Sequence, residues 1–346
     1  MTAIAARGAD HRTRNGEHVA RAVLRQHRSA LIGLAFVFAA FAIPLVVTGI
    51  RARAGQPGAD SWIESKYVGV NIVPFLAGAL LGAPLVAGDF ETGAFRFSMT
   101  QGLSIRRQVA AKLVVLGGLM AAAAALLGGL SMWASAPGVH AAPRMYWALS
   151  RWSPAYFNVT ALMLPMWALL GFSLGVLIGT LIKRAGAAIP VTIVAVGIAT
   201  AGISSFAAKA PGGLYNEMMK VHPVVVRDDA APFGHITWNS NWPRRVTAKL
   251  YRMPGPPGSY EVSDWLAGPG GMPLSLDAWD RLMSGVPNFA SLARTRAWVA
   301  RRHVTAWFGY QPAGRYWLFQ SLWAAILLAF TAAAGCASVW LAGRRR

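Results

Sequence analysis

Charged residues are scarce in this 346-residue chain. They make up 13% of it, about half the share found in an average soluble domain, whereas 55% of the residues are hydrophobic. Cysteine is almost missing as well, because Cys336 is the only one, and one cysteine cannot form a disulfide within the chain. This composition excludes a disulfide-stapled secreted domain and favours a membrane protein over a soluble one.

Acidic residues are missing from six long apolar runs. Each run is at least 18 residues long, enough to cross a hydrocarbon core of about 30 Å as a helix, and none contains Asp or Glu. We therefore predict an all-α integral membrane protein with six transmembrane helices. The predicted spans are 29–50, 68–88, 113–134, 157–182, 185–208 and 317–343.

The signatures of catalysis are also missing. No Gly-Lys pair occurs in the chain, so it cannot form the phosphate-binding loop of a nucleotide-driven pump. HExxH is not present, and the histidines and aspartates of 222–235 do not have the spacing of a metal site. The spans lack the buried carboxylates of transporters driven by protons or sodium. We predict no catalytic, cofactor-binding or metal-binding residues, and hence that the chain is not an enzyme.

What the chain does contain is an excess of basic residues, 33 against 13 acidic ones. With the N-terminus in the cytoplasm, the cytoplasmic segments hold 15 Lys and Arg, and the short outside loops 51–67 and 135–156 hold 5. Short loops with this bias follow the positive-inside rule. We predict cytoplasmic termini and contacts with membrane lipids. No nucleic-acid-binding motif accompanies the charge, so nucleic acid is not an expected partner.

The spans divide the chain into four parts. Residues 1–28 form a cytoplasmic segment whose second half has the pattern of an interfacial helix. Residues 29–208 hold the first five helices and the loop between the second and third, and 317–346 hold the sixth helix and a basic tail. Between them, 209–316 contains 11 of the 20 prolines and is predicted to be an extracytoplasmic domain, with a helix at 291–308.

Glycines recur at four-residue spacing in the fourth span. Small residues at this spacing let two helix backbones approach closely in lipid. The contact could lie within this chain, which we favour, or at an interface between subunits. A lesser case is Gly78 and Gly82. The main strip consists of Gly171, Gly175 and Gly179.

Acidic and basic residues are concentrated between the second and third spans, at 89–112. An amphipathic segment on the cytoplasmic side, with aromatic anchors and charges of both signs, is suited to docking on a soluble partner. An ordinary cytosolic turn is the alternative. The candidate docking residues are Asp89, Phe90, Glu91, Thr92, Gly93, Phe95, Arg96 and Arg106.

The residue pattern of this segment favours docking. GAPLVAGDFETGAFRFSMTQGLSIRRQVAAKL (82–113) closely resembles the segment between the second and third spans of ABC-2-type transporter permeases. That family often has a carboxylate pair, Glu-x-Gly-Thr, Thr-Gln, Ser-Arg and a following Lys. Asp89 stands here for the usual Glu, and Ala94 for the usual Thr. GFSLGVLIGTLIKRAGAAIP (171–190) is similar to the family's junction between spans four and five. YQPAGRYWLFQ (310–320) resembles a motif of a bacterial subgroup from high-GC genomes.

The resemblance implies a six-span permease subunit of an ABC transporter in the bacterial plasma membrane. Two such subunits, identical or homologous, would pair on two separate ATP-binding subunits, and the segment from Asp89 to Arg106 would be the coupling helix. ATP and Mg²⁺ would bind the partner, with no cofactor on this chain. The expected function is export of an amphipathic small molecule, peptide or lipid. The alternatives are a non-transporting sensor or resistance complex and a membrane-anchored scaffold.

Overall fold

In the computed structural model, the chain folds into two compact units. The first comprises Met1–His140, Pro154–Ser204 and Leu318–Arg346, and the second comprises Ala141–Ser153 and Ser205–Trp317. The structure describes residues 21–56, 69–93, 104–141, 151–152, 154–208, 223–228, 259–268, 272–275, 277–278, 281 and 301–344.

Among the residues that the structure describes, six helices are long and apolar enough to cross a membrane, which confirms the predicted number of spans and a mostly helical, multi-pass protein. A single-turn helix, α4 (Pro154–Phe157), precedes the fourth of them. The six are α1 (Arg28–Arg53), α2 (Val73–Glu91), α3 (Ile105–Ala141), α5 (Met163–Ile182), α6 (Ala185–Ala208) and α7 (Tyr316–Arg344).

The second span, α2, is not a uniform α-helix. Its residues Val73–Leu76 and Ala83–Glu91 are α-helical, and Ala77–Gly82 between them form a π-helix. The Ala83 N–H bonds five residues back, to the carbonyl of Gly78. Pro84 follows directly and has no N–H to donate to an α-helical turn. A π segment accommodates one additional residue in the backbone hydrogen-bonding pattern.

A tight turn joins α5 to α6. Lys183 ends α5 in the left-handed conformation, with φ of 60°, and its N–H bonds the carbonyl of Gly179. This places the turn at 183–184, where the sequence predicted a basic break between two spans. The following helix begins at Ala185.

The interior of the first unit is built mainly on α2 and α5. Val86, Phe172 and Val176 are almost completely buried there. By contrast, α1 exposes large apolar side chains such as Ile32 and Phe36. A helix with an exposed apolar surface is suited to a hydrocarbon solvent, so the distribution of burial agrees with a membrane bundle.

The second unit contains an antiparallel sheet of three strands in the order β1-β3-β2. Its strands are β1 (Val224–Asp228), β2 (Tyr260–Ala267) and β3 (Thr305–Gln311). The central β3 pairs Phe308 with Val226 on one side and with Asp264 on the other. A register shift interrupts the β2–β3 pairing between Glu261 and Ser263.

This sheet was not predicted within 209–316, where the only element expected was a helix at 291–308. The sequence predicted a helix through 308, but Thr305–Gln311 form a strand. The aromatic residues of TAWFGYQ have high β-propensity, and partners far away in the sequence supply its hydrogen bonds. Residues 291–300 of the predicted helix lie outside the described residues.

Candidate functional site

The predicted glycine strip of α5 lies directly against α2. A Cβ on Gly175 would overlap the carbonyl oxygen of Gly78, and one on Gly179 would overlap that of Ala83. Reciprocally, a Cβ on Gly78 would come within 2.7 Å of the Gly171 carbonyl oxygen. The structure therefore places the contact within the chain. Glycine is required on both sides because the two backbones touch.

An ion pair joins α2 to α3 at the end where the loop 92–104 connects them. The Lys112 ammonium donates to the Asp89 carboxylate, and both side chains are buried. The sequence placed Asp89 and Lys112 in a polar loop, but α2 continues to Glu91 and α3 begins at Ile105. Asp89 therefore faces the bundle. Because each charge is neutralised locally, both can be buried at a tolerable cost.

The segment before α1 packs against this ion pair. Residues 21–26 are helical and Val23 is buried in the core. Gln26 donates from Nε2 to the Asp89 carboxylate over 3.4 Å. The buried Nε2 of His27 has no hydrogen-bond partner among the described residues. Burial lowers the pKa of His27 and the nearby Lys112 cation lowers it further, against an opposing effect of Asp89.

We expect acid to destabilise the fold through His27. Its pKa in the folded state lies below its value in the unfolded chain, so between the two values the unfolded state binds the additional proton. Stability is complete above a pH of about 6.5 and declines as the pH falls through it. Melting temperatures in detergent at about pH 8 and pH 5 measure this decline, and His27→Gln should reduce it.

His303→Asn is the matched control for the acid effect. His303 is exposed and has a positive φ of 53°, a conformation that asparagine tolerates. This variant removes a histidine far from the ion pair in the sequence and should leave the decline unchanged. Equal declines in the parent and in His27→Gln would contradict a role for His27.

Glu91 connects α2 to α6. Its Oε1 accepts a hydrogen bond of 3.0 Å from the Ala185 N–H, at the first residue of α6. A carboxylate at a helix N-terminus satisfies a free N–H and interacts favourably with the helix dipole. The neighbouring Phe90 ring lies beneath the Lys183 ammonium, 5.3 Å from it. The Glu91 residue is exposed.

The loop itself begins after Glu91. Thr92 donates from Oγ1 to the carbonyl of Gly88, closing the last turn of α2, and Gly93 follows with a φ of 69°, which glycine adopts readily. Phe95 and Arg96, predicted to contact a partner, lie outside the described residues. Arg106 is the second residue of α3, where it is exposed. The six of these eight residues that the structure describes thus divide between a helix end, a turn and the start of the next helix.

A second polar cluster, which the sequence did not predict, lies among α4, α5 and α7. The buried Gln320 donates from Nε2 to the Phe157 carbonyl over 2.9 Å, and its Oε1 accepts a 2.6 Å bond from the buried Thr160 hydroxyl. Thr160 in turn accepts from the N–H of Met163. The available signal was a glutamine inside an apolar run, WLFQSLW. The cluster supplies hydrogen-bond partners for backbone groups at the break between α4 and α5. Backbone groups inside a membrane require such partners.

Metal ligation finds no support in the described part of the chain, where no group of three His, Cys, Asp or Glu side chains is placed to hold an ion. The described residues do contain two polar contacts that link the loop end of α2 to α3 and α6. These are the ion pair Asp89–Lys112 between α2 and α3, and the hydrogen bond Glu91–Ala185 between α2 and α6. Together with the glycine contacts, they connect the loop end of α2 to three other helices.

These contacts lie in one continuous stretch of sequence that resembles a known family. Residues 52–207 match the model of a family described as ABC-2 membrane transporter related. This ABC-2-related region covers somewhat less than half of the chain. It contains the glycine contacts, the ion pair and the loop, and it ends in α6, before the sheet. No curated protein and no solved structure matches the chain.

The match to ABC-2 transporters and the six apolar helices together support a multi-pass membrane protein of the permease kind. A permease is the membrane component of a transporter, which accords with a chain that is not itself an enzyme. The region of the match coincides with α2, α3, α5 and nearly all of α6. The ABC-2 likeness therefore applies to the part of the chain where the loop is tied to the bundle.

Proposed function

We propose that this chain is the permease subunit of an ABC exporter, with the 92–104 loop as the docking site of a separate ATP-binding subunit. The observation that carries the proposal is the buried ion pair of Asp89 and Lys112 at the base of the loop. A force on a loop moves the helix bundle only if the loop is anchored to it. The ion pair supplies such an anchor for both ends of the loop.

Two further contacts would carry the movement onward. Glu91 accepts a hydrogen bond from the first residue of α6. At Gly78 and Gly82, the backbone of α2 packs directly against that of α5, with no side chain between them. Packed elements move as units because interiors are dense and barely compressible. A displacement of the loop would therefore shift α2, α3, α5 and α6 together, which is what a change between two transport states requires.

The distribution of charge supports a cytoplasmic position for this loop and for both termini. Arg106 and Arg107 begin α3, and Lys183 and Arg184 form the α5–α6 turn, so the positive-inside rule favours this end of the bundle as the cytoplasmic one. The membrane would be a bacterial plasma membrane. The second unit, formed by the segments that follow α3 and α6, would lie outside the cell.

The energy would come from the partner. The chain contains no Gly-Lys pair, so ATP and Mg²⁺ would bind the ATP-binding subunits, two of which would serve two permease subunits, identical or homologous. The transported compound would be an amphipathic small molecule, peptide or lipid, since the bundle offers mainly apolar surface along α1, α6 and α7.

Charge reversal at the loop tests the proposal. We expect Arg96→Glu and Arg107→Glu each to lower co-purification of the ATP-binding subunit with the tagged chain. Losing a desolvated charged contact costs about 2–5 kcal/mol, which is roughly a 30- to 5,000-fold weaker association. Membrane abundance should stay near the parent's, because Arg107 is exposed. The partners tested are the ATP-binding subunits encoded in the same genome, each co-expressed with the chain.

Arg51→Glu is the matched control, since Arg51 is an exposed arginine at the other end of a span, near the end of α1. It should retain the partner. If Arg51→Glu released the ATPase and the loop variants retained it, the docking end and the orientation would both be reversed. Retention by all three variants would show that the loop is an ordinary turn.

A further inference from the structure

An open groove runs between α3 and α7 on the surface of the helical unit. Its volume is about 500 Å³. Ala110, Leu113 and Val114 form one wall, and residues from Ala332 to Trp340 form the other. Val114 and Trp340 are strongly exposed. The lining is apolar except at one end, where Arg106 borders it.

That end of the groove carries two arginines. The Arg106 side chain lies over Gly343, where a Cβ would overlap it, and Arg344 is the next residue. The Arg344 guanidinium stacks at 3.9 Å on the ring of Trp340, which is itself a lining residue of the groove. Both arginines are exposed.

Within the described part of the helical unit, neither acidic residue forms an ion pair with these arginines. Its two acidic residues are already engaged, Asp89 by Lys112 and Glu91 by the Ala185 N–H. Two neighbouring cations without a counter-ion repel each other and attract an anion. The groove thus has one end that attracts anions, and the rest of its length is apolar.

We propose that the groove binds an anionic phospholipid, with its phosphate between Arg106 and Arg344 and one acyl chain along α3 and α7. The length fits this occupant. From Arg344 to Ala332, twelve residues of helix rise about 18 Å, close to the roughly 15 Å that one leaflet contributes to a ~30 Å hydrocarbon core. Basic pockets between transmembrane helices bind acidic headgroups in this way.

The test is native mass spectrometry of the purified full-length chain with phosphatidylglycerol or phosphatidylcholine of identical acyl chains. With two arginines near the phosphate, the parent should bind the anionic lipid about 30-fold more tightly. The double variant Arg106→Gln/Arg344→Gln should lose this preference. Equal preference in the parent and the double variant would overturn the proposal.

A second variant fills the groove and leaves the arginines in place. A Cβ on Gly335 meets only Leu113, at an ordinary 3.9 Å, so Gly335→Phe should fold while filling the groove and should reduce retained phosphatidylglycerol. Gly33→Phe on the open surface of α1 should not. If Gly335→Phe instead converted dimers to monomers with lipid retention unchanged, the groove would hold a second copy of the chain and the proposal would fail.

Cys336 allows occupancy of the groove by anionic lipid to be tested in the protein without substitutions. It is the only cysteine, it is exposed, and it lines the groove. Its alkylation by N-ethylmaleimide should be slower in nanodiscs that contain phosphatidylglycerol than in phosphatidylcholine alone. The double arginine variant should show no such difference. Alkylation at the same rate in both lipids by the parent would contradict occupancy by the anionic lipid.

Discussion

A Gly175→Leu variant is expected to lose most of its folded protein. The side chain would enter a space already filled by the carbonyl of Gly78 and by the Ala83 N–H, which a Cβ would approach to 2.9 Å. Overpacking of a dense interior costs about 1–3 kcal/mol even where side chains can adjust. Here the obstacle is backbone, so we expect at least about 3 kcal/mol. Membrane abundance and the melting curve in detergent measure the loss.

The control for this variant is Gly118→Leu. Gly118 is in the middle of α3 and is exposed, and a Cβ added to it would have no other atom within 4 Å. It receives the same side chain in a helix of the same bundle and should reach parental abundance. A normal melting curve for Gly175→Leu would show that α2 and α5 do not touch at this position.

Replacing Lys112 with Met should be almost as damaging, because the Asp89 carboxylate would remain buried without its cation. Removing one partner of a buried ion pair costs about 3–5 kcal/mol. The side-chain volumes of lysine and methionine are similar, so the loss arises from charge rather than from packing. Thermal melting of the purified protein measures it.

The partner substitution provides the critical comparison. In the Lys112→Met background, Asp89→Leu removes the uncompensated carboxylate, and apolar replacement of both members of a buried pair is often neutral or stabilising. The double variant should therefore recover most of the lost stability, with only the weak Gln26 hydrogen bond missing. A double variant as unstable as Lys112→Met would exclude the buried charge as the cause.

Hydropathy predicted the six spans because membrane thickness imposes a minimum length on each apolar run. It ended the second span at 88 and began the third at 113. A hydropathy average over a window of sequence counts Asp89 and Lys112 each as an isolated charge that is unfavourable in the membrane. In the structure they neutralise each other across 23 residues, and both helices extend past the predicted limits. A pairing between two helices is not visible in either segment alone.

The sheet was missed for a related reason. Strand β3 pairs with β1, about 80 residues earlier in the sequence, and with β2, about 40 residues earlier. The local pattern of 291–308 is compatible with a helix, and only the distant partners favour extended backbone at Thr305–Gln311. The glycine strip, by contrast, predicted a close helix contact from spacing alone. The sequence left open which helix would be opposite, and the structure places α2 there.

The π segment Ala77–Gly82 determines the rotational phase of α2. One residue added to the backbone pattern turns everything after it by about 100° relative to a continuous α-helix. The glycine contact at Gly78 lies within this segment, and Asp89 lies beyond it. With an ordinary α-helical turn in its place, a helix anchored at its start would present Asp89 to a different neighbour. The same short stretch that lets two backbones touch thus also aims the carboxylate at Lys112.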